Sequence, residues 1–204
     1  NALIGELEFP TAAEIPQESL TRLNYDVTEM LRKQLEHNKK DKSRTKLFKF
    51  LKQLLESRFP GSTLDKFGSS VTGLSLAQGD LDLCLQISGT VPKKIFNKIG
   101  KLLRQFDFVD IVVIPHAKVP IVKCRDAKTG IPLDISVNNT LALHNTQLLK
   151  TYSMQDARVS QAILAIKYWA MCRDVSDAPS GTLSSYSWSL MSIQSMQMTT
   201  PPLV

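Results

Sequence analysis

Phe67-Gly68-Ser69-Ser70 and, soon after it, Asp80-Leu81-Asp82-Leu83-Cys84-Leu85 are the segments that decide the fold of this chain. Side chains alternate between the faces of an extended strand, so Asp80 and Asp82 point one way while Leu81, Leu83 and Leu85 point the other. Two co-directed carboxylates repel each other. Such a pair is tolerable where a cation neutralises it, and hard oxygen ligands on one side of a strand suit Mg²⁺ held together with a triphosphate. The Gly68-Ser69 turn suits the same ligand. Glycine lets the backbone approach phosphate oxygens closely, and Ser69 adds amide and hydroxyl donors that form an anion nest.

Phosphoryl transfer from a nucleoside triphosphate to a hydroxyl works best when two metals clamp the attacking and leaving oxygens, and the ion beside the nucleophile wants a further acid. Asp134 is the candidate. It stands in Ile131-Pro132-Leu133-Asp134-Ile135-Ser136-Val137, an acidic residue in an otherwise apolar strand, where an unpaired buried charge would be costly.

Composition sets wide limits around these segments. With 204 residues, 43% of them hydrophobic, the chain can build one large domain or two small ones. A net charge of +6 and a pI near 9.2 favour polyanionic partners. The run Lys39, Lys40, Lys42, Arg44, Lys46 reads as a solvated helix connection that could also touch a phosphate backbone. Cys84, Cys124 and Cys172 are widely spaced and fall in predicted strands or helices, which reads as buried reduced thiols in an intracellular protein. His37, His116 and His144 lack metal-ligand spacing. No apolar run reaches about 18 residues, so no membrane-spanning helix is expected. The choice between cytoplasm and mitochondrion stays open.

Periodicity organises the rest. An extended lead-in over residues 1–16 precedes predicted helices from Ser19 to about Asn38 and from Thr45 to Phe59. Strand, glycine-containing turn and strand follow from Leu64 to Ile87, then an amphipathic helix from Pro92 to Phe106. Short β-branched runs at Val109–Ile114, Val119–Cys124 and Pro132–Val137 complete a mixed sheet. Helical spacing returns at Leu141–Ser153, Ala157–Arg173 and Leu183–Gln197, with Asp156 and Thr182 as expected caps. Trp169 and Trp188 fall on apolar helix faces and read as core.

Taken in order, Phe67-Gly68-Ser69, the Asp80-Leu81-Asp82 strand, Asp134-Ile135, Leu141-Ala142-Leu143-His144-Asn145-Thr146 and Gly181-Thr182-Leu183-Ser184-Ser185-Tyr186 resemble the terminal uridylyltransferases and noncanonical poly(A) polymerases of the DNA polymerase β-like superfamily. The resemblance runs from about residue 64 to the C-terminus. It implies that Asp80 and Asp82 hold two Mg²⁺ (or Mn²⁺) ions, and that Asp134 completes the ion next to an RNA 3′-hydroxyl and helps to deprotonate it. Gly68 and Ser69 would hold the triphosphate. Asn145 and Thr146 would contact the ribose and base, doubling as a helix cap, with Asn139 as a further polar group of the cleft. Lys167 would neutralise the triphosphate, Ser185 would reach the phosphates and Tyr186 would stack on the base. Met171 stands where many relatives carry a second lysine, which leaves that charge to Arg173 or to a residue beyond the chain.

The expected fold class is α+β: a polymerase-β-like mixed-sheet catalytic domain over 43–140, and a helical central domain begun by residues 1–42 and 141–204 and left incomplete at Val204. The expected activity is template-independent addition of uridylates from UTP to an RNA 3′ end. One alternative is a poly(A) polymerase using ATP, and another is an inactive family member acting as an RNA-binding scaffold.

Overall fold

The computed structural model describes residues 14–39, 42–77 and 79–204, without the side chains of residues 35–39. Its helices and strands follow one another as α1 (Gln17–Lys39), α2 (Lys42–Arg58), β1 (Ser62–Lys66), the one-turn α3 (Ser69–Thr72), β2 (Leu81–Ile87), α4 (Lys94–Leu103), β3 (Phe108–Ile114), β4 (Ile121–Asp126), β5 (Pro132–Val137), α5 (Thr140–Gln155), α6 (Ala157–Cys172), a 3₁₀ turn (Ala178–Ser180) and α7 (Ser185–Gln197). Part of the basic run thus lies inside α2. Lys40 and the side chains of His37 and Lys39 are outside the described residues.

The five strands form one mixed sheet in the order β1-β2-β5-β4-β3. β2 and β5 run parallel at its centre, and every other pairing is antiparallel. A parallel pair needs a crossover connection, supplied here by α4, β3 and β4. Leu81, Leu83 and Leu85 are buried together with Leu133 and Ile135 against Leu47, Leu51 and Leu55 of α2 and Ile95, Phe96 and Ile99 of α4. That face is the larger core. Alternation then sends Asp82 and Asp134 to the opposite face. A second core joins Leu31 of α1 and Leu74 to Leu149, Val159, Ile163, Leu164, Ile193 and Met196 of the last three helices.

Between the cores the chain turns at Asn138, whose φ of 49° lies in the left-handed region that asparagine tolerates. Its side chain imitates a strand. Nδ2 donates to Ile87 O at 2.9 Å, while Oδ1 accepts from Ile87 N at 2.8 Å. Asn139 then caps α5, its side chain accepting from Ala142 N at 3.3 Å, and its own N–H points at Cys84 Sγ.

Four expectations change. Ser184, not Thr182, caps α7, accepting from Ser187 N at 3.1 Å, because the Thr182 hydroxyl is taken by Asp177 N. Asn145 and Thr146 lie within α5, so the capping role belongs to Asn139. Cys84 and Cys124 are buried, but Cys172 is exposed at the end of α6. Trp169 is 48% exposed, with its ring edge-to-face against Trp188 at 5.7 Å, whereas Trp188 is half-buried and donates to Val175 O. Among the described residues no helix is long and apolar enough to cross a membrane.

Candidate active site

β2 and β5 bring the acids together because their register makes Asp82 and Asp134 direct neighbours across the parallel pair. Asp80 stands just ahead of β2 and is more open to solvent. Arg44 of α2 reaches this loop, donating to the carbonyls of Gly79 and Asp80. It therefore holds the backbone that presents Asp80, a role the basic run alone did not reveal.

The carboxylates are short of positive charge. Burial, followed by the negative charges of Asp134 and Asp80, pushes the Asp82 carboxyl up to about 7, against the pull of Lys123 and Lys167. Asp80 moves in the same direction, through desolvation and then Asp134. Lys123, paired with Asp134 in the β4–β5 register, places Nζ 2.9 Å from Asp134 Oδ2. Among the described residues no three His, Cys, Asp or Glu side chains converge as a ready-made ion site. The donor types nevertheless suit divalent ions: Asp82 and Asp134 are neighbours across the β2–β5 pair, Asp80 acts on both through its charge, and that mutual repulsion is what a hard cation relieves.

On the side of the Gly-Ser turn, Phe67 donates its N–H to Asp82 O, and Gly68 follows with φ 69°. A Cβ on Gly68 would collide with the Asp82 carboxylate, so glycine is required both for the conformation and for the approach. Ser69 opens α3 directly afterwards. Thr146 fastens this turn to α5: its Oγ1 accepts from Gly68 N at 2.8 Å and donates to Ala142 O at 2.7 Å. The hydroxyl expected at the ribose is thus engaged with the turn itself.

A cavity of about 290 Å³ opens beside Asp82, near the low end for ligand pockets. Phe67, Gly68, Ser69, Asn145, Thr146, Lys167, Ser185 and Tyr186 all line it. Asn139 does not, being occupied as the α5 cap. Lys167 is 7% exposed, and its Nζ donates to Leu74 O at 2.6 Å. Burial pulls this ammonium down to about 8, while Asp82 opposes the shift. A buried cation aimed at a pocket beside carboxylates is suited to an anionic ligand. Met171 and Arg173 are both exposed and do not line the cavity.

Sequence reasoning missed Lys123, Arg44 and Ser189, the last of which is buried in the cavity wall. Lys123 carried one signal: it is the polar residue between Val122 and Cys124 in an alternating strand. Its partner becomes visible only through the strand register.

Comparison with known proteins bears on the family and the fold. The family described as "Poly(A) RNA polymerase, mitochondrial-like, central palm domain" matches residues 23–154. Human terminal uridylyltransferase 7 is 37% identical over 171 residues, covering 80% of this chain and 11% of that protein. Xenopus laevis poly(A) RNA polymerase GLD2-B is 33% identical over 202 residues, covering 95% and 39%. The chain therefore spans well under half the length of either relative. Among solved structures, a Cid1 poly(U) polymerase superimposes with a TM-score of 0.71 at 31% identity, over 80% of this chain and 52% of that one. mtPAP in complex with UTP, at 24% identity and a TM-score of 0.72 over 79% of this chain and 39% of that one, shares the fold. With its paired strand acids and Gly-Ser turn set on that common fold, the chain belongs to the terminal uridylyltransferase and noncanonical poly(A) polymerase family of the DNA polymerase β-like nucleotidyltransferases.

Proposed function

We propose that this region is the catalytic part of an RNA nucleotidyltransferase that adds nucleotides, uridylates from UTP in the first instance, to an RNA 3′ end without a template. The observation that carries the reading is Asp82, which stands beside Asp134 across the β2–β5 pair and lines a pocket with a phosphate-type turn and a buried lysine. Asp80, Asp82 and Asp134 would hold two Mg²⁺ or Mn²⁺ ions. When bound, such ions stabilise the attacking and leaving oxygens of an in-line displacement.

The chain's own groups do the rest. Gly68 lets the backbone approach the triphosphate closely while its own N–H stays on Thr146, Ser69 presents its amide and hydroxyl, and Lys167 offsets the charge within the same cavity. Tyr186, half-buried in the cavity wall, supplies a flat surface for the base, and Asn145 supplies a polar amide. Asp134 would face the arriving 3′-hydroxyl, and its carboxylate can take that proton as the oxygen bonds to the α-phosphorus and the α–β phosphoanhydride bond breaks, releasing pyrophosphate. We assign residues 43–140 to the catalytic domain, and α1 with residues 141–204 to a helical central domain, the lead-in expected over residues 1–16 lying mostly outside the described residues.

A poly(A) polymerase using ATP is the second reading, favoured by the similarity to poly(A) RNA polymerases such as GLD2-B. Tyr186 stacking does not discriminate between bases. Incubating the full protein with labelled RNA and each nucleoside triphosphate separately decides the matter, and preferential incorporation of ATP would defeat the uridylyl reading. Asp82→Ala should abolish tailing while the protein stays folded. Equal inactivity of wild type and variant, with either Mg²⁺ or Mn²⁺, would make the protein a scaffold instead.

A further inference from the structure

Lys123 sits on the flank of the acids that the nucleotide pocket leaves open. The sheet order puts β4 on the side of β5 away from β2. The pocket lies on the other side, and its wall takes in Asp82, Gly68 and Lys167 but no residue of β4 or β5. The Lys123 side chain is 48% exposed, and Asp134 remains 21% exposed. A half-exposed ammonium on a carboxylate is a weak, exchangeable pair. A divalent ion is the stronger competitor for the same oxygen.

We propose that Lys123 is an exchangeable counter-ion that couples divalent-ion binding at Asp134 to the arrival of RNA, yielding the carboxylate oxygen to the metal and pairing instead with the terminal phosphodiester of the RNA. This rests on the function proposed above, which brings a polynucleotide end to Asp134 and with it the anion that Lys123 would take. Lys123 is then a competitor of the metal until RNA is present and an ally afterwards. Coupling between the two ligands is reciprocal, so each tightens the binding of the other.

The test is calorimetric titration of the full protein with Mn²⁺, with and without an RNA oligonucleotide ending in a 3′-deoxynucleotide that cannot be extended. Wild type, Lys123→Met and Lys123→Arg are compared, and thermal unfolding confirms that each is folded. Without RNA, Lys123→Met should bind Mn²⁺ about five- to tenfold more tightly, since a competing positive charge is gone. RNA should tighten Mn²⁺ binding to wild type and to Lys123→Arg but leave Lys123→Met unchanged. Unchanged or weaker Mn²⁺ binding by Lys123→Met, or intact coupling in it, overturns the inference. A fourth protein separates the two levels of the argument: if Asp82→Asn binds Mn²⁺ as well as wild type does, the assignment of the acids fails as well.

Discussion

Lys167→Met tests whether the pocket holds a cation at the expense of the fold. The native ammonium is 7% exposed and donates to Leu74 O, and burial moves its proton affinity from the ordinary 10.5 to about 8. At pH 7 the lysine is charged in both the folded and unfolded chain, so the whole burial penalty is felt, about 3 kcal/mol. As pH rises through 8 the folded state sheds the proton first, while the unfolded state keeps it until about 10.5. The penalty therefore shrinks with rising pH and is about 1.4 kcal/mol at pH 9.5. Methionine removes the charge but leaves the Leu74 carbonyl without its donor, which costs about 1 kcal/mol at either pH. The net expectation is a variant more stable than wild type by about 2 kcal/mol at pH 7 and nearly level with it at pH 9.5. Urea unfolding at the two pH values measures this, and the pH 7 gain corresponds to roughly 4–8 °C in Tm. Nucleoside triphosphate should raise the Tm of wild type and not that of the variant. A variant less stable than wild type at pH 7, or a gain that is the same at both pH values, would refute the reasoning.

Gly68→Ala should lose activity and about 1–3 kcal/mol of stability, because alanine at φ 69° is strained and its methyl meets the Asp82 carboxylate; urea unfolding and a primer-extension assay read both effects. Thr146→Val keeps the shape of the side chain but leaves Gly68 N unpaired, so KM for the triphosphate should rise more than kcat falls, with about 1–3 kcal/mol lost in unfolding; an unchanged KM would show that the hydroxyl does not hold the turn. Leu83→Ala, at a fully buried position on the face away from the acids, should cost about 2–5 kcal/mol in unfolding experiments while the active fraction retains its KM.

The elements legible in the sequence are those whose pattern is local. Alternation in Leu81–Ile87 and Pro132–Val137 located both acid-bearing strands, since apolar residues on one face and aspartates on the other leave one pairing that buries the former. The central helices were equally plain, because their leucines and isoleucines repeat at helical spacing. What was not legible depends on partners distant in the chain. Arg44 looked like part of a solvated run until α2 was seen to lie against the Gly79 loop. Lys123 needed the β4–β5 register to meet Asp134. Trp169 sits on an apolar stripe of α6, yet packing in this chain covers the neighbouring face and leaves its ring open. Thr182 and Ser184 are both sound caps by residue type, and the choice turned on Asp177 N claiming the first hydroxyl.

The Asn138 clasp has a consequence for how such a site can diversify. Asn138 ties the start of α5 to Ile87, at the far end of the strand that carries Asp82, and Asn139 adds a contact to Cys84 on that strand. The wall bearing Asn145 is thereby mortised to the same beam as the reacting acids, and the two keep their spacing whatever α6 and α7 do. Under the function proposed above, drift in those later helices, where Lys167 and Tyr186 reside, would remodel the berth of the base and leave the Gly68 turn beside Asp82. On that proposed function, a seam of that kind would let one phosphoryl-transfer frame accept different nucleotides.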